Sequence, residues 1–552
     1  MLLTLFNKDD YDRYYAGGFW RDDTIYSLVK QHAARAPNSL AIRETVRTCT
    51  YAELLRLADA FGADLAERGV LAGQRIAVWL PSRIETVVAL VACSRNALIC
   101  CLSLHRDHTV GEIVELLKSM RAVAFLGQRG YGADAGRHDI FKRLPEVESI
   151  LHGYHLRSVS SSPRKGIVPE RDQDSIQLFP AQQQDANRVL YLAFTSGTTG
   201  EPKGVMHSNN TLLSNARALS ADWNIEDSSV IYSLSPLSHN LGFGAMVMAL
   251  SVGGQLIVHD VPRGQSLLDR LIESDTTFLV GVPTHAIDLL AELKERQTSK
   301  MGKLTGFRIS GAPIPRDVVR GLLENGVLPQ SGYGMTETCS HQYTRPDDEP
   351  RLIIETCGRA AAGYDVRIFS LDDPEKEAPI NEIGQIGGRG ASLMLGYFND
   401  QLATEASFNE AGWFMTGDLG WLDEQGYLRI TGRRKDVIIR GGHNIYPARI
   451  EALAAKHPAV KRAAAVAIPD ERLGEKVCLA VMFHPGQAAD ADEILEHLNQ
   501  FGLSKYDMPE YFASVDEIPL TASGKLRKRD ISDWITDGSL KPQAVRWQKK
   551  PI

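Results

Sequence analysis

Apolar residues recur at helical spacing over Leu54–Arg68, which predicts an amphipathic helix. Gly73–Leu80 (GQRIAVWL) is short, apolar and closed by Pro81, the mark of a buried strand. Glu85–Ala92 reads as a helix and Ala122–Leu126 as a second buried strand. Helix and strand periods that alternate in this way predict parallel sheets covered by helices. Leu241–Val258 is uncharged, but Gly242, Gly244, Gly253, Gly254 and Gln255 interrupt it. It divides into a buried helix, a Gly-Gly turn and a strand over Gln255–Val258, rather than a membrane span. Polar residues fill Ser158–Asn187, which reads as a connection. From Asp365 to Tyr427 short strands alternate with glycine turns (EIGQIGGRG, NEAGW, DEQGYLRI), predicting antiparallel or barrel-like β structure. Beyond Gly432 the pattern is α+β: helices over Ala448–Lys456 and Ala491–Phe501, strands over Ala463–Ile468 and Val477–Phe483. The fold class is therefore α/β, with domains expected at residues 1–432 and 433–552.

Composition narrows the function classes. The 552 residues are 43% apolar and 23% charged, as in ordinary globular proteins, and the net charge of −7 offers no global basic field for a nucleic acid. Seven cysteines form no C-x-x-C pair, which removes zinc ribbons and thioredoxin-like motifs and fits a reducing, cytoplasmic setting. The apolar start, Met1–Phe6, runs at once into Lys8, Asp9 and Asp10, so no signal peptide is expected. Neither nucleic acid nor membrane is expected as a partner. A homodimer is allowed but not specified.

The most informative segment is Leu192–Ser208 (LAFTSGTTGEPKGVMHS). A strand over Val189–Phe194 runs into Thr195, Ser196, Gly197, Thr198, Thr199 and Gly200, followed by Lys203. Glycines let backbone N–H groups approach a phosphate, and hydroxyls and a lysine add donors. No G-K-[ST] ends the loop, so it is not a Walker A motif. Further motifs follow in order: Ser310-Gly311-Ala312-Pro313, Tyr333-Gly334-Met335-Thr336-Glu337, Thr416-Gly417-Asp418 with Gly432-Arg433, Arg440-Gly441-Gly442-His443-Asn444-Ile445-Tyr446-Pro447, and Thr521-Ala522-Ser523-Gly524-Lys525. Together they closely resemble the signature of the adenylate-forming superfamily, in its acyl-CoA synthetase branch, over nearly the whole chain.

That resemblance implies an N-terminal domain of two helix-covered, mainly parallel sheets plus a small barrel-like β subdomain, and a mobile C-terminal domain. It also implies the reaction of a carboxylate with ATP to give an acyl-adenylate, with Mg²⁺ and CoA taking part. Thr195 to Lys203 would hold the β- and γ-phosphates, Thr336 the α-phosphate and Glu337 the Mg²⁺. Read alone, Glu337 is a helix N-terminal acid beside Thr336 and Thr338. Gly311, Ala312, Tyr333 and Gly334 would pack on the adenine. Asp418 and Arg433 would take the ribose; read alone, Asp418 is a turn residue. Lys525 would bridge the attacking carboxylate and the α-phosphate; on composition alone, Lys525, Arg527, Lys528 and Arg529 are a basic patch. Lys435 sits at the family's hinge, and Gly441 and Gly442 would line a tunnel for a pantetheine thiol.

Ser235–Gly244 (SPLSHNLGFG) stands where the family builds its acid pocket. His239, Asn240 and Phe243 are its candidate acid-binding residues. A core histidine with Asn240 as helix cap is the plain alternative. The His-Asn pair and Gly18-Phe19-Trp20 point to an aromatic, alicyclic or medium-chain acid. With a short tail after Asp530, no fused carrier domain is expected, which favours CoA as acceptor. A stand-alone aryl-acid adenylation enzyme that loads a carrier protein, and a catalytically silent nucleotide-binding protein, remain the rival readings.

Overall fold

The computed structural model describes residues 7–159, 171–195, 202–260, 264–520 and 526–547. The chain divides into two compact units, one of residues 1–366 and 388–414 and one of residues 367–387 and 415–552.

The first unit is an α/β body built on two sheets. One runs, in spatial order, through Arg359–Ala360, Cys339–Tyr343, Leu328–Met335, Gly306–Ser310, Phe278–Gly281, Val230–Ser233, Gln255–Val258, Leu40–Arg43 and Thr48–Thr50. Its interior pairs are parallel, and the pairs at both edges are antiparallel. The other sheet runs through His152–Leu156, Ala122–Gln128, Arg75–Trp79, Ile99–Cys101, Val189–Thr195 and Lys203–Ser208. It is parallel except for the last pair. Both sheets contribute to one hydrophobic core together with the helices Ile84–Arg95 and Asn240–Val252. Every residue of Ile84–Arg95 is buried, including Glu85 and Arg95, whose charges are met by Arg47 and Asp59. The 241–258 stretch resolves as read: the helix ends at Val252, Gly253 adopts φ +84°, and Gln255–Val258 is a parallel strand. Among the described residues no helix is long and apolar enough to cross a membrane.

The second unit carries most of a four-stranded sheet, ordered Tyr364–Phe369, Gly384–Gly390, Phe414–Leu422, Leu428–Arg433. This is the β structure that the glycine-punctuated segment predicts. The unit also holds a sheet centred on the long antiparallel pair Val460–Asp470 and Gly474–Phe483, backed by the helices Pro447–Ala454 and Ala491–Gln500.

Candidate active site

The phosphate-loop motif lies between two antiparallel strands, Val189–Thr195 and Lys203–Ser208, with Thr195 and Lys203 in register. Ser196, Gly197, Thr198, Thr199 and Gly200 lie outside the described residues, as does Lys525. Lys203 reaches from its strand to place Nζ 4.9 Å from the centroid of the Tyr397 ring. The Tyr397 hydroxyl donates to Glu337 Oε1 at 3.0 Å. Burial first, and then the Glu337 carboxylate, raise the phenol well above its ordinary value, so Tyr397 is a neutral donor at any working pH. An ammonium, an aromatic ring and a carboxylate thus form one chain of contacts.

Glu337 is not a helix N-terminal acid. It occupies the turn between Leu328–Met335 and Cys339–Tyr343, two antiparallel strands. The turn is tight enough that a Cβ on Gly334 would fall 1.9 Å from the Cys339 carbonyl oxygen, so only glycine fits. The segment 392–398 threads alongside. Ser392 Oγ donates to the Thr338 carbonyl at 3.1 Å, the Met394 amide to the Glu337 carbonyl at 2.7 Å, and the Phe398 amide to the Gly204 carbonyl at 2.6 Å. It therefore locks the Thr336–Glu337 turn to the strand that bears Lys203.

A second clamp is buried. His207 Nε2 lies 2.7 Å from the Thr336 carbonyl oxygen and Nδ1 lies 3.0 Å from Thr211 Oγ1. Burial lowers this imidazole to about 4, against the Thr336 hydrogen bond, which raises it. A neutral ring facing a carbonyl, which can only accept, carries its proton on Nε2.

The acid-side residues meet the same turn. The Asn240 side-chain amide donates to the Met335 carbonyl at 3.3 Å. It does not cap its helix: the N-cap is His239, which makes no side-chain cap bond. Gly242 allows that helix to abut the 235–236 loop, since a Cβ there would sit 2.3 Å from the Pro236 carbonyl oxygen. Phe243 is 1% exposed, and its ring is stacked on Tyr191 at 3.8 Å. It is a packing residue that holds the helix on the sheet rather than an open pocket wall.

Gly311 and Ala312 follow the strand Gly306–Ser310, whose Ser310 Oγ donates to the Gly332 carbonyl at 2.9 Å. They lie beside Tyr333, at the carboxyl ends of parallel strands where α/β sheets bind ligands. In the second unit, Asp418 is a buried strand residue rather than a turn residue. It is in register with Arg433, whose Nε lies 3.1 Å from its Oδ1. Gly441 and Gly442 form the turn of the hairpin Ile438–Arg440 to His443–Ile445, with φ +58° and +84°. Lys435 is exposed in the short 3₁₀ turn Arg434–Asp436.

Tyr397 carries no motif signal, being one aromatic residue in a stretch that reads as core, and His207 lies near the end of the Leu192–Ser208 segment without being marked there as functional. Glu337 presents a hard oxygen donor, half-exposed and oriented by Tyr397. Such a lone carboxylate suits Mg²⁺, which keeps waters and takes its other ligands from substrate phosphates.

The chain matches the family of AMP-binding enzymes over residues 29–398, and the AMP-binding enzyme C-terminal domain over residues 449–525. It is 30% identical to the medium-chain fatty-acid–CoA ligase of Escherichia coli (strain K12), across 96% of this chain and 93% of that protein. It is also 30% identical to the indoleacetate–CoA ligase of Aromatoleum aromaticum, across 91% and 96% respectively. The crystal structure of ATP-bound MatB from Rhodopseudomonas palustris superposes with a TM-score of 0.80 at 27% identity, covering 93% of this chain and 99% of that one. The chain belongs to the AMP-binding enzyme family. The adenylate-forming relationship read from the motifs, in its acyl-CoA synthetase branch, holds.

Proposed function

We propose that this protein is an ATP-dependent carboxylic acid–CoA ligase acting on a medium-chain, alicyclic or aromatic acid. One observation carries the reading: the turn Met335–Glu337 is gripped from the phosphate side by His207 and Tyr397, and from the acid side by Asn240. A turn held in this way is suited to bringing a carboxylate and an α-phosphate together. The medium-chain and indoleacetate ligases among the relatives support the substrate class.

In the first half-reaction a substrate carboxylate oxygen attacks the α-phosphorus of ATP and the bond to pyrophosphate breaks. The barrier is largely one of charge and alignment, because two anions must meet. Thr195 to Lys203 hold the β- and γ-phosphates, Thr336 the α-phosphate, and Lys525 offsets the charge that develops between the reactants. Gly311, Ala312, Tyr333 and Gly334 receive the adenine, and Asp418 and Arg433 the ribose. His239 orients the carboxylate of the acid, and Asn240 hydrogen-bonds a substituent on it. Glu337 would hold a Mg²⁺ ion, which would supply further charge neutralisation at the phosphates. In the second half-reaction a CoA thiol, approaching along Gly441 and Gly442, displaces AMP from the acyl carbonyl. The exchange of Lys525 for the glycine hairpin turns on Lys435, with the functional boundary at residues 432/433. Among the described residues the cysteines form no disulfide, which supports a cytoplasmic setting.

Pyrophosphate release from a panel of acids, with and without CoA, tests the proposal. Acid-dependent release with acyl-CoA as product is expected. Release without CoA transfer, but with loading of a phosphopantetheinylated carrier, would replace it with the carrier-loading reading. No acid-dependent release at all would leave a silent nucleotide-binding protein.

A further inference from the structure

The loop after the strand Ile99–Cys101 belongs to no motif, yet two hydrogen bonds pin it beside the acid site and a third braces it from within. The Phe194 amide, at the entrance to the phosphate loop, donates to Ser103 Oγ at 2.6 Å. The Trp79 indole donates to the His105 carbonyl at 2.8 Å, and the His105 amide donates to His108 Nδ1 at 2.9 Å. The loop thereby holds the His105 imidazole flat against His239, with ring centroids 4.1 Å apart and planes within 8°. His105 Nδ1 also lies 3.2 Å from Ser238 Oγ, on the residue preceding His239. His239 stands at the N-cap of the helix Asn240–Val252 without capping it, and its ring nitrogens have no hydrogen-bond partner among the described residues. Its plane is therefore set by the stack and not by a bond of its own.

We propose that His105 is a positioning residue of the acid site, whose ring, stacked on His239, fixes the plane in which His239 presents its edge to the carboxyl end of the substrate. The proposal rests on the reading of His239 as an acid-binding residue. The groups around the pair agree with it. Two imidazoles stacked this close resist both becoming imidazolium cations. Burial, then the neighbouring His239 and His108, lower His105 to about 3. His239 is lowered as well, by burial first, with Asp107 opposing and His108 adding to the fall. His239 therefore meets the carboxylate as an uncharged ring with one N–H to donate. Its alignment then decides the quality of that bond, and small misplacements of a positioning group are costly. The same loop ties His105 through Ser103 to Phe194, so the acid and phosphate sides share an anchor.

Steady-state pyrophosphate formation by three variants tests this. His105→Ala is expected to raise KM for the acid about five- to tenfold, the scale of a lost aromatic stack, with KM for ATP within about twofold of the wild type. His105→Phe keeps a flat ring but loses the bond to Ser238, and is expected to restore most of the acid affinity. His239→Ala is the control for the parent reading, and thermal melts establish that each variant is folded. If His239→Ala leaves KM for the acid unchanged, both the assignment of His239 and this proposal fall. If His239→Ala raises it but His105→Ala does not, or if the Phe variant is as impaired as the Ala variant, the stack proposal alone is overturned. A wild type that releases no pyrophosphate with any acid overturns both.

Discussion

Removing one oxygen atom, in Tyr397→Phe, separates the two things that this residue does. The ring beneath Lys203 Nζ, 4.9 Å away, is retained, and with it the cation–π contact. Only the O–H donated to Glu337 Oε1 at 3.0 Å is lost. A hydrogen bond to a charged group is worth about 1.5–3 kcal/mol. A residue that orients a metal-binding carboxylate typically costs about 10- to 100-fold in metal affinity when removed. The two scales agree, since each decade is about 1.4 kcal/mol. The assay is acid-dependent pyrophosphate formation titrated with Mg²⁺. The Phe variant should need at least about tenfold more Mg²⁺ for half-maximal rate, with much of the maximal rate recovered at high Mg²⁺. The melting temperature should move little, because the ring volume is unchanged and the Glu337 carboxylate is half-exposed. A Mg²⁺ titration that superposes on that of the wild type would refute the assignment of Glu337 as the ion's ligand and of Tyr397 as its orienting partner.

Four further outcomes are expected. Lys525→Ala should cripple adenylation but spare thioester formation from supplied acyl-adenylate; equal loss of both half-reactions would contradict its role. Gly334→Ala forces a Cβ to within 1.9 Å of a backbone oxygen, so it should cost about 3 kcal/mol or more, seen as a lowered melting temperature or loss of folded protein. Asp418→Asn removes an ion pair whose arginine is 41% exposed. Stability should fall by at most about 1 kcal/mol, while KM for ATP rises severalfold. The buried Glu85 gives the fold a defined acid lability. Burial alone would raise this carboxyl, but hydrogen bonds from Arg47 and Arg83 pull it down to about 2. The unfolded chain binds that proton first, so the stabilisation, roughly 3 kcal/mol, is complete above pH 4.5 and is lost as pH falls toward 2. Buried, neutral His207, held at about 4, adds an earlier loss that begins below the ordinary imidazole value of 6.5. Urea midpoints measured across this range should show both phases in the wild type, and only the earlier one in Glu85→Gln.

Much of this protein is determined locally. The division of 241–258 into helix, turn and strand follows from two adjacent glycines, because Gly253 at positive φ ends a helix whatever surrounds it. The alternation of helix and strand periods is likewise enough to require helix-covered parallel sheets. The ordered motifs from Thr195 to Lys525 name the family because each concentrates unusual residue types in a few positions. Tertiary structure alone decided the rest. Whether Glu337 headed a helix or turned a hairpin depended on how closely Cys339 could approach Gly334, a distance that propensity does not encode. Asn240 had the chemistry of a cap, but the Met335 carbonyl, 95 positions away, claimed its amide. Tyr397, His207 and His105 gain their roles only because strand pairing and a clamped loop carry them beside the Thr336–Glu337 turn and the start of the Asn240 helix. Contacts between residues distant in sequence are selected by how sheets and helices bury their apolar faces together. A buried tyrosine or histidine therefore looks the same along the chain whether it fills a core or orients a substrate.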